Sequence, residues 1–379
     1  MRRETGSVRP DWTQRIRELG LVYDAGRPYW NESAHYVFED EEIDGLEADV
    51  ELLHSMCLAA VDNVVLTERY RDFGIPEWMW QPIGESWKRQ DPHLYGRFDL
   101  RYDGNGPAKL LEYNADTPTS LLEASVIQWD WLEQTHPDDD QWNSLYEKLV
   151  DRWKVIGGRM PGDQIHFTWS EGDTSGEDHI TISHLQETAA EAGLNTVGLA
   201  IENIGWDTLM NRFVDLEEVQ MSTVVKLYPW EWMAEDDFGR HAVSTLPKTL
   251  WVEPLWKMLL SNKALLAVLW EMNPGHPNLL PAFVGEPGLL TEYVRKPLLG
   301  REGANIQIVA PGYETQTDGV YGKEGYVYQA FDPLPQFDGQ RPVLGAWVVG
   351  DEAAGLGIRE TAGLITDDGA AFVPHLFRS

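Results

Sequence analysis

Arg97-Phe98-Asp99-Leu100-Arg101-Tyr102, followed by Asp103-Gly104-Asn105-Gly106-Pro107 and then Lys109-Leu110-Leu111-Glu112-Tyr113-Asn114, is the stretch that decides the fold. The two flanks alternate along the chain and the middle is dense in turn formers, so the three segments predict a β-hairpin. Residues two apart on a strand share a face. Arg97 and Asp99 therefore point together, and so do Glu112 and Asn114; pairing through the turn lets these polar faces meet. Asp99, Glu112 and Asn114 then offer three hard oxygen donors of the kind Mg²⁺ accepts, with water and phosphate oxygens completing its octahedron. Arg97, a fixed planar cation, can hold a phosphoryl or carboxylate oxygen beside them. The plainer alternative is a solvated polar face with one salt bridge. The next run, Asn114-Ala115-Asp116-Thr117-Pro118-Thr119-Ser120, favours the former. It is rich in small oxygen-bearing side chains and caps a helix predicted from about 120 to 133, and a helix N-terminus attracts anions.

Working outward, residues 42–70 carry apolar positions at helical spacing, Leu46, Val50, Leu53, Met56, Cys57, Ala60 and Val64 among them. A further helix is expected over 141–156. Residues 163–230 read as a small α/β unit: strands at 165–169, 195–200 and 224–228, with an amphipathic helix from Asp178 to Ala192. Pro247 to Trp270 carries a helix. The C-terminal third is strand-rich, at 290–297, 305–309, 326–331, 343–349 and 371–373, separated by glycine-rich turns that suggest an antiparallel sheet. The fold class is therefore α+β, assembled around a cleft.

Three more segments bear on chemistry. Lys296-Pro297-Leu298-Leu299-Gly300-Arg301-Glu302-Gly303 ends an apolar strand with a lysine and continues into a glycine loop, which lets backbone N–H groups approach a phosphate. Its order is the reverse of a P-loop, and an ordinary hairpin turn is the alternative. Lys263 sits in an apolar helix and could equally snorkel. Together with the oxygen cluster, the two lysines suit phosphoryl transfer, where catalysis is positioning and charge neutralisation. Glu177 and Asp178, with Glu171 and Asp173 before them, could bind an ammonium group or could serve as first-turn helix charges.

Composition narrows the class. The chain has 379 residues and a formal net charge of −32, which argues against nucleic acid and against an anionic membrane surface as partners. A cationic small molecule such as a polyamine would be attracted, and a simply solvated acidic surface is the plainer cause of the total charge. Its 17 Trp are expected mostly in the core. The lone cysteine, Cys57, lies among apolar neighbours and reads as a buried residue, not a nucleophile. With no apolar leader at the N-terminus and no 18-residue apolar run, a reducing cytoplasm is expected. The histidines show no zinc spacing.

Five motifs in order resemble the glutathionylspermidine synthase family: Arg97-Phe98-Asp99, Glu112-Tyr113-Asn114-Ala115-Asp116, Glu253-Pro254-Leu255-Trp256-Lys257, Asn262-Lys263-Ala264-Leu265-Leu266 and Lys296 to Gly303. The resemblance runs from about residue 90 to the C-terminus. It implies an ATP-grasp fold over 1–379, with lobes at about 1–160, 161–245 (an inserted small α/β lobe) and 246–379 (a C-terminal antiparallel-sheet lobe). It implies ATP and Mg²⁺ as cofactors, and an acyl phosphate that an amine attacks. By the same resemblance Asp99, Glu112 and Asn114 hold Mg²⁺, and Arg97 is catalytic and binds ATP. Lys263 and Lys296 grip the nucleotide phosphates, and Glu302 and Gly303 cover them. Gln329, Ala330, Phe331, Leu364, Ile365 and Thr366 form the adenine and ribose wall. Thr117 and Arg359 fall where glutathione is held, and Glu177 and Asp178 where the amine and part of glutathione are recognised. A small peptide acid and spermidine or a related amine are the implied partners, and a homodimer stays open. Three features depart from the family pattern. No N-terminal cysteine amidase domain is present, Lys226-Leu227-Tyr228 replaces Lys-Thr-Trp, and Ser120 replaces a cysteine. Asp367 and Asp368 lie only near the family's acidic spermidine contact. The synthetase-only branch fits best. The rival is a nucleotide-binding regulator on a decayed ligase fold, against which the intact oxygen and lysine set weighs.

Overall fold

The computed structural model describes residues 1–22, 29–173, 175–246, 248–367 and 369–378. Pro247, the predicted start of a helix, and Asp368 lie outside them. The hairpin forms as its alternation dictates. Tyr95–Arg101 pairs antiparallel with Lys109–Asn114, placing Arg97 opposite Asn114 and Asp99 opposite Glu112. Beyond Asp99 the register slips by one residue, so that Leu100 faces Leu110. Such a bulge leaves the extra residue outside the ladder and bends the strand. One face of the hairpin buries Phe98, Leu100, Leu110 and Tyr113, with the Phe98 and Tyr113 rings stacked at 3.9 Å. The other face carries the polar set.

The sheet around the hairpin is completed from the far end of the chain. Its order is Ala371–Val373, Glu352–Thr361, Arg341–Val349, Tyr95–Arg101, Lys109–Asn114. This sheet therefore joins segments assigned by sequence to the first and last lobes. Gly345 stands opposite Asp99, and a Cβ there would come within 3.0 Å of the Arg97 side chain, so glycine leaves room for the guanidinium to lie along the strand. Beneath the sheet runs the helix Asp40–Thr67, closed at its start by a Glu39/Glu42 capping box and at its end by Glu68 in the left-handed region. By length and composition this helix could cross a membrane. Here eleven of its residues, Cys57 included, are buried in the main core.

Two further sheets flank the first. A parallel one runs Leu250–Val252, Thr223–Lys226, Gln164–Trp169, Asn195–Ala200, with the helices Leu145–Gly157 and Glu177–Glu191 packed on it. An antiparallel one runs Ala282–Val284, Tyr326–Ala330, Tyr293–Pro297, Gln307–Ala310, Tyr313–Gln316. The fold is thus mixed α/β with several sheets.

The helix expected over 247–270 is instead broken into a strand, Leu250–Val252, a 3₁₀ turn, Leu255–Lys257, and two helices, Met258–Ser261 and Ala264–Met272. Asn262 causes the last break. Its backbone turns extended, its side-chain amide donates to the Phe73 carbonyl at 2.8 Å, and its side-chain oxygen accepts the Ala264 N–H at 2.9 Å. The side chain thus takes over the capping that a continuous helix would supply internally. The strand Glu352–Thr361, missed in the sequence, is rich in Gly and Ala, which carry little strand preference.

Two buried ion pairs grip the hairpin. At its start, Glu253 accepts the N–H groups of Leu94 and Tyr95 at 3.0–3.1 Å and pairs with Lys257 at 2.9 Å. Lys257 in turn donates to the Tyr95 carbonyl at 2.5 Å. Just past its end, Asp116 pairs with Lys226 at 2.5 Å and accepts the Trp230 N–H at 2.9 Å. All four side chains are essentially inaccessible to water. Asp116→Ala leaves Lys226 buried without its counter-charge, so denaturant unfolding should lose about 3–5 kcal/mol. The apolar double replacement Asp116→Leu/Lys226→Met should recover most of that loss. A single-variant loss under about 1 kcal/mol would show that this pair does not hold the hairpin's end.

Candidate active site

A cleft of about 840 Å³ opens where the three large sheets meet. The hairpin's polar face forms its floor, with Arg97, Asp99, Glu112 and Asn114 all lining it. Their hydrogen bonds are mutual. Asp99 accepts from Arg97 Nε at 2.9 Å on one oxygen and from Arg359 at 2.7 Å on the other. Glu112 accepts from Asn114 at 3.1 Å and pairs with Lys263 at 3.0 Å. Arg97 also donates to the Thr119 carbonyl at 2.7 Å, and its guanidinium lies 5.6 Å from the centre of the Trp347 ring.

Lys296 reaches the same group from the antiparallel sheet, donating to the Leu111 carbonyl and to Gln329 Oε1, both at 2.8 Å. Leu111 is the residue that the bulge frees from the ladder, so the bulge supplies this acceptor. Burial raises the proton affinity of the Glu112 carboxyl, but Lys263 and Lys296 outweigh it and hold the group at about 2. Burial pushes the Lys296 ammonium down to about 8 against the pull of Glu112.

The cluster thus has two carboxylates, Asp99 and Glu112, facing four cations, Arg97, Lys263, Lys296 and Arg359. Within this cluster the cations outnumber the carboxylates, whereas the rest of the cleft lining adds Asp173, Glu177, Asp178, Glu302, Asp332 and Asp367. The donor set also fits Mg²⁺: two carboxylates and an amide on opposed strand positions are hard oxygen ligands. No group of three or more His, Cys, Asp or Glu side chains able to hold a metal occurs among the described residues, so any metal here would rest on this mixed set.

A glycine loop follows Lys296. Glu302 and Gly303 line the cleft with φ of 51° and 70°. A Cβ on Gly303 would meet Ile365 and the Thr366 carbonyl at 2.9 Å, so glycine lets the loop close against that wall. Lys263 lies in a small adjoining pocket shared with Glu112, Glu302 and Gly303, where it donates to the Gly300 carbonyl at 2.6 Å. Phe331, Leu364, Ile365 and Thr366 line the main cleft, joined by Val294, Ile308 and Val343. Gln329 and Ala330 do not. The Gln329 amide is committed to Lys296 and to the Leu110 carbonyl, 2.9 Å away, so it orients the lysine and faces away from the cavity.

Thr117, Glu177 and Asp178 also line the cleft. Glu177 and Asp178 open the helix Glu177–Glu191, and Asp173 accepts the Asp178 N–H at 2.9 Å. Burial, reinforced by Asp173 and Glu177, pushes the Asp178 carboxyl up to about 7. Three contributors escaped the sequence reading. Arg301 bridges Thr117 at 3.0 Å and Glu231 at 2.9 Å and lies over Trp232, tying the glycine loop to the parallel-sheet unit. Tyr29 lines the cleft beside Ser120, with the buried Glu123 behind them. Arg301 stands within the Lys296-to-Gly303 motif, whereas nothing local marks Tyr29 or Glu123.

The chain is a carbon–nitrogen ligase. It belongs to the glutathionylspermidine synthase family: a family model described as "Glutathionylspermidine synthase preATP-grasp" matches residues 3–378. A Haemophilus influenzae protein named "Putative acid–amine ligase" is 42% identical over 397 residues, covering 100% of both chains. Trypanothione synthetase of Crithidia fasciculata is 30% identical over 83% of this chain and 52% of its own length. The bifunctional glutathionylspermidine synthetase/amidase of Escherichia coli is 28% identical over 87% of this chain and 57% of its own. The chain spans about half the length of these last two relatives. In fold it is similar to a glutathione synthetase-like effector from Globodera pallida in its apo form (TM-score 0.55, 10% identity, 97% and 96% of the two chains).

The raised Asp178 carboxyl has a stability consequence. A carboxyl held above its ordinary range favours the folded state while protonated, and that contribution is lost as pH rises through about 7. Asp178→Asn should therefore gain on the parent by about 2 kcal/mol between pH 5 and pH 8 in paired unfolding experiments. A constant difference across that range would show that Asp178 ionises normally.

Proposed function

We propose that this protein is an ATP-grasp ligase that uses ATP and Mg²⁺ to activate a carboxylic acid as its acyl phosphate and joins it to an amine. The acid in this reading is glutathione or another small peptide, and the amine is spermidine or a related polyamine. The observation that carries the reading is the cluster on the cleft floor, where Asp99 and Glu112 are bonded to Arg97, Arg359 and, from the small adjoining pocket, Lys263, with Lys296 beside them. A triphosphate seated on that cluster would meet its four cations directly, beside a glycine loop packed against Ile365 and Thr366.

In this reading Asp99, Glu112 and Asn114 hold the metal, which when bound would neutralise phosphate charge and template the nucleotide. Lys263 and Lys296 bind the phosphates, and Glu302 and Gly303 cover them. The apolar surface of Phe331, Leu364, Ile365 and Thr366 takes the base and ribose. Arg97 sits between the phosphate end and the acid end and stabilises charge as the phosphoryl group moves. Thr117 and Arg359 orient the acid, and Glu177 and Asp178 attract the ammonium. The names of the relatives motivate the two substrate classes, and the carboxylates Asp173, Glu177 and Asp178 in the cleft lining are consistent with a cationic amine.

The test is phosphate release from ATP with glutathione and spermidine, singly and together. Release that needs both substrates, with an amide product seen by mass spectrometry, is expected. Arg97→Ala should lower kcat by about 10²–10³-fold, the usual effect of removing one charge-stabilising group from a closed site. Tight ATP binding with no turnover on any acid–amine pair would sink the ligase reading in favour of a regulator.

A further inference from the structure

An amine arriving as its ammonium ion cannot attack a carbonyl carbon until it loses a proton, and the cleft must supply somewhere for that proton to go. The amine end of the cleft presents Tyr29, Ser120, Glu177 and Asp178. Behind the first two lies Glu123, 2% exposed, in a wide π-type turn, Glu123–Ile127, that opens the helix Gln128–Thr135. Glu123 Oε1 accepts the Tyr29 hydroxyl at 2.6 Å. The Tyr29 hydroxyl is in turn 3.1 Å from Ser120 Oγ, and Ser120 Oγ is 3.5 Å from Glu177 Oε1. A continuous line of exchangeable groups therefore runs from the ammonium-attracting carboxylate at the surface of the cleft to an inaccessible one behind it. Ser120 is buried with φ of 66°, an uncommon conformation for a non-glycine residue, and this backbone turn sets its hydroxyl between the two. π-type turns recur where a helix must place one side chain out of its regular series.

We propose that Glu123, acting through the Tyr29 hydroxyl, is the proton acceptor that converts the bound ammonium into a nucleophilic amine. The inference rests on the acid–amine ligase reading above. In the step, the ammonium nitrogen gives one proton to the Tyr29 oxygen while the hydroxyl proton of Tyr29 passes to Glu123. Glu123 goes from carboxylate to carboxylic acid, and the amine becomes neutral. Its lone pair then forms the C–N bond, the acyl C–O bond to phosphate breaks, and that electron pair leaves on the phosphate. The second nitrogen proton departs with the phosphate as the amide forms. Burial pushes the Glu123 carboxyl up to about 7, partly opposed by the Tyr29 hydrogen bond. The charged groups that bear on it are Glu177, which raises its proton affinity, and Arg97, which lowers it. An acceptor with proton affinity near neutrality suits transfer in either direction at neutral pH.

The experiment compares spermidine with hydroxylamine as acceptors, using the full chain with ATP, Mg²⁺ and glutathione. Hydroxylamine is largely neutral at pH 7 and needs no proton acceptor before attack. Glu123→Gln and Tyr29→Phe should each lower kcat for spermidine by about 10²-fold while leaving glutathione hydroxamate formation within about twofold of the parent. The parent's kcat for spermidine should rise with pH towards about 7 and then level, and Glu123→Gln should flatten that rise. Equal losses with both acceptors would assign Glu123 a packing role and overturn the proposal, as would no loss with either. If the parent forms no hydroxamate, the acyl phosphate reading itself falls, an outcome distinct from the other two.

Discussion

Two ion pairs shut away from water, Glu253–Lys257 and Asp116–Lys226, hold the hairpin of residues 95–114 at its two ends, and the cleft is built on what they hold. A buried charge tolerates little displacement from its partner, because the low-dielectric surroundings make an unpaired ion costly by several kcal/mol. Each pair also engages main-chain groups: the N–H groups of Leu94 and Tyr95, the Tyr95 carbonyl and the Trp230 N–H. The backbone is therefore fixed directly, and not only through side-chain packing. Strands so fixed can present Arg97, Asp99, Glu112 and Asn114 without reorganisation when charge develops nearby, the condition under which electrostatic stabilisation is most effective.

The polar floor of the cleft satisfies itself. Every oxygen of Asp99 and Glu112 has a donor, and Lys296 is held by a main-chain carbonyl freed by the bulge and by the side chain of Gln329. Such cross-bonding offsets the repulsion among the neighbouring cations and holds them in place. A ligand there exchanges partners with groups already aligned, so the ordering cost falls mostly on the folding of the chain.

How much of this could be read from the residues depended on range. The hairpin was legible because its alternation and its Asp103-to-Pro107 turn are local signals, and the long helix and the parallel-sheet unit were legible by periodicity. The pairing of 341–373 onto the hairpin left no local trace, since strand partners separated by hundreds of positions share only a face and a register. The break at Asn262 depends on the Phe73 carbonyl, which lies far away in sequence. In the cleft, the charged residues stood out by type and by motif order. The inward commitment of Gln329, the bridge made by Arg301 and the placement of Tyr29 in the cleft wall are decided by tertiary neighbours, which a single sequence does not display.

The sheet order has one more consequence. Asp99 and Arg359, joined by a hydrogen bond on the floor of the cleft, are 260 positions apart in the chain. Strand pairings of that separation close late, because the loop-closure entropy must be met before the contacts can return it. During ribosomal synthesis the hairpin emerges with one edge bare and waits for most of the polypeptide before its neighbour Arg341–Val349 exists. Until then that edge is a template for wrong partners.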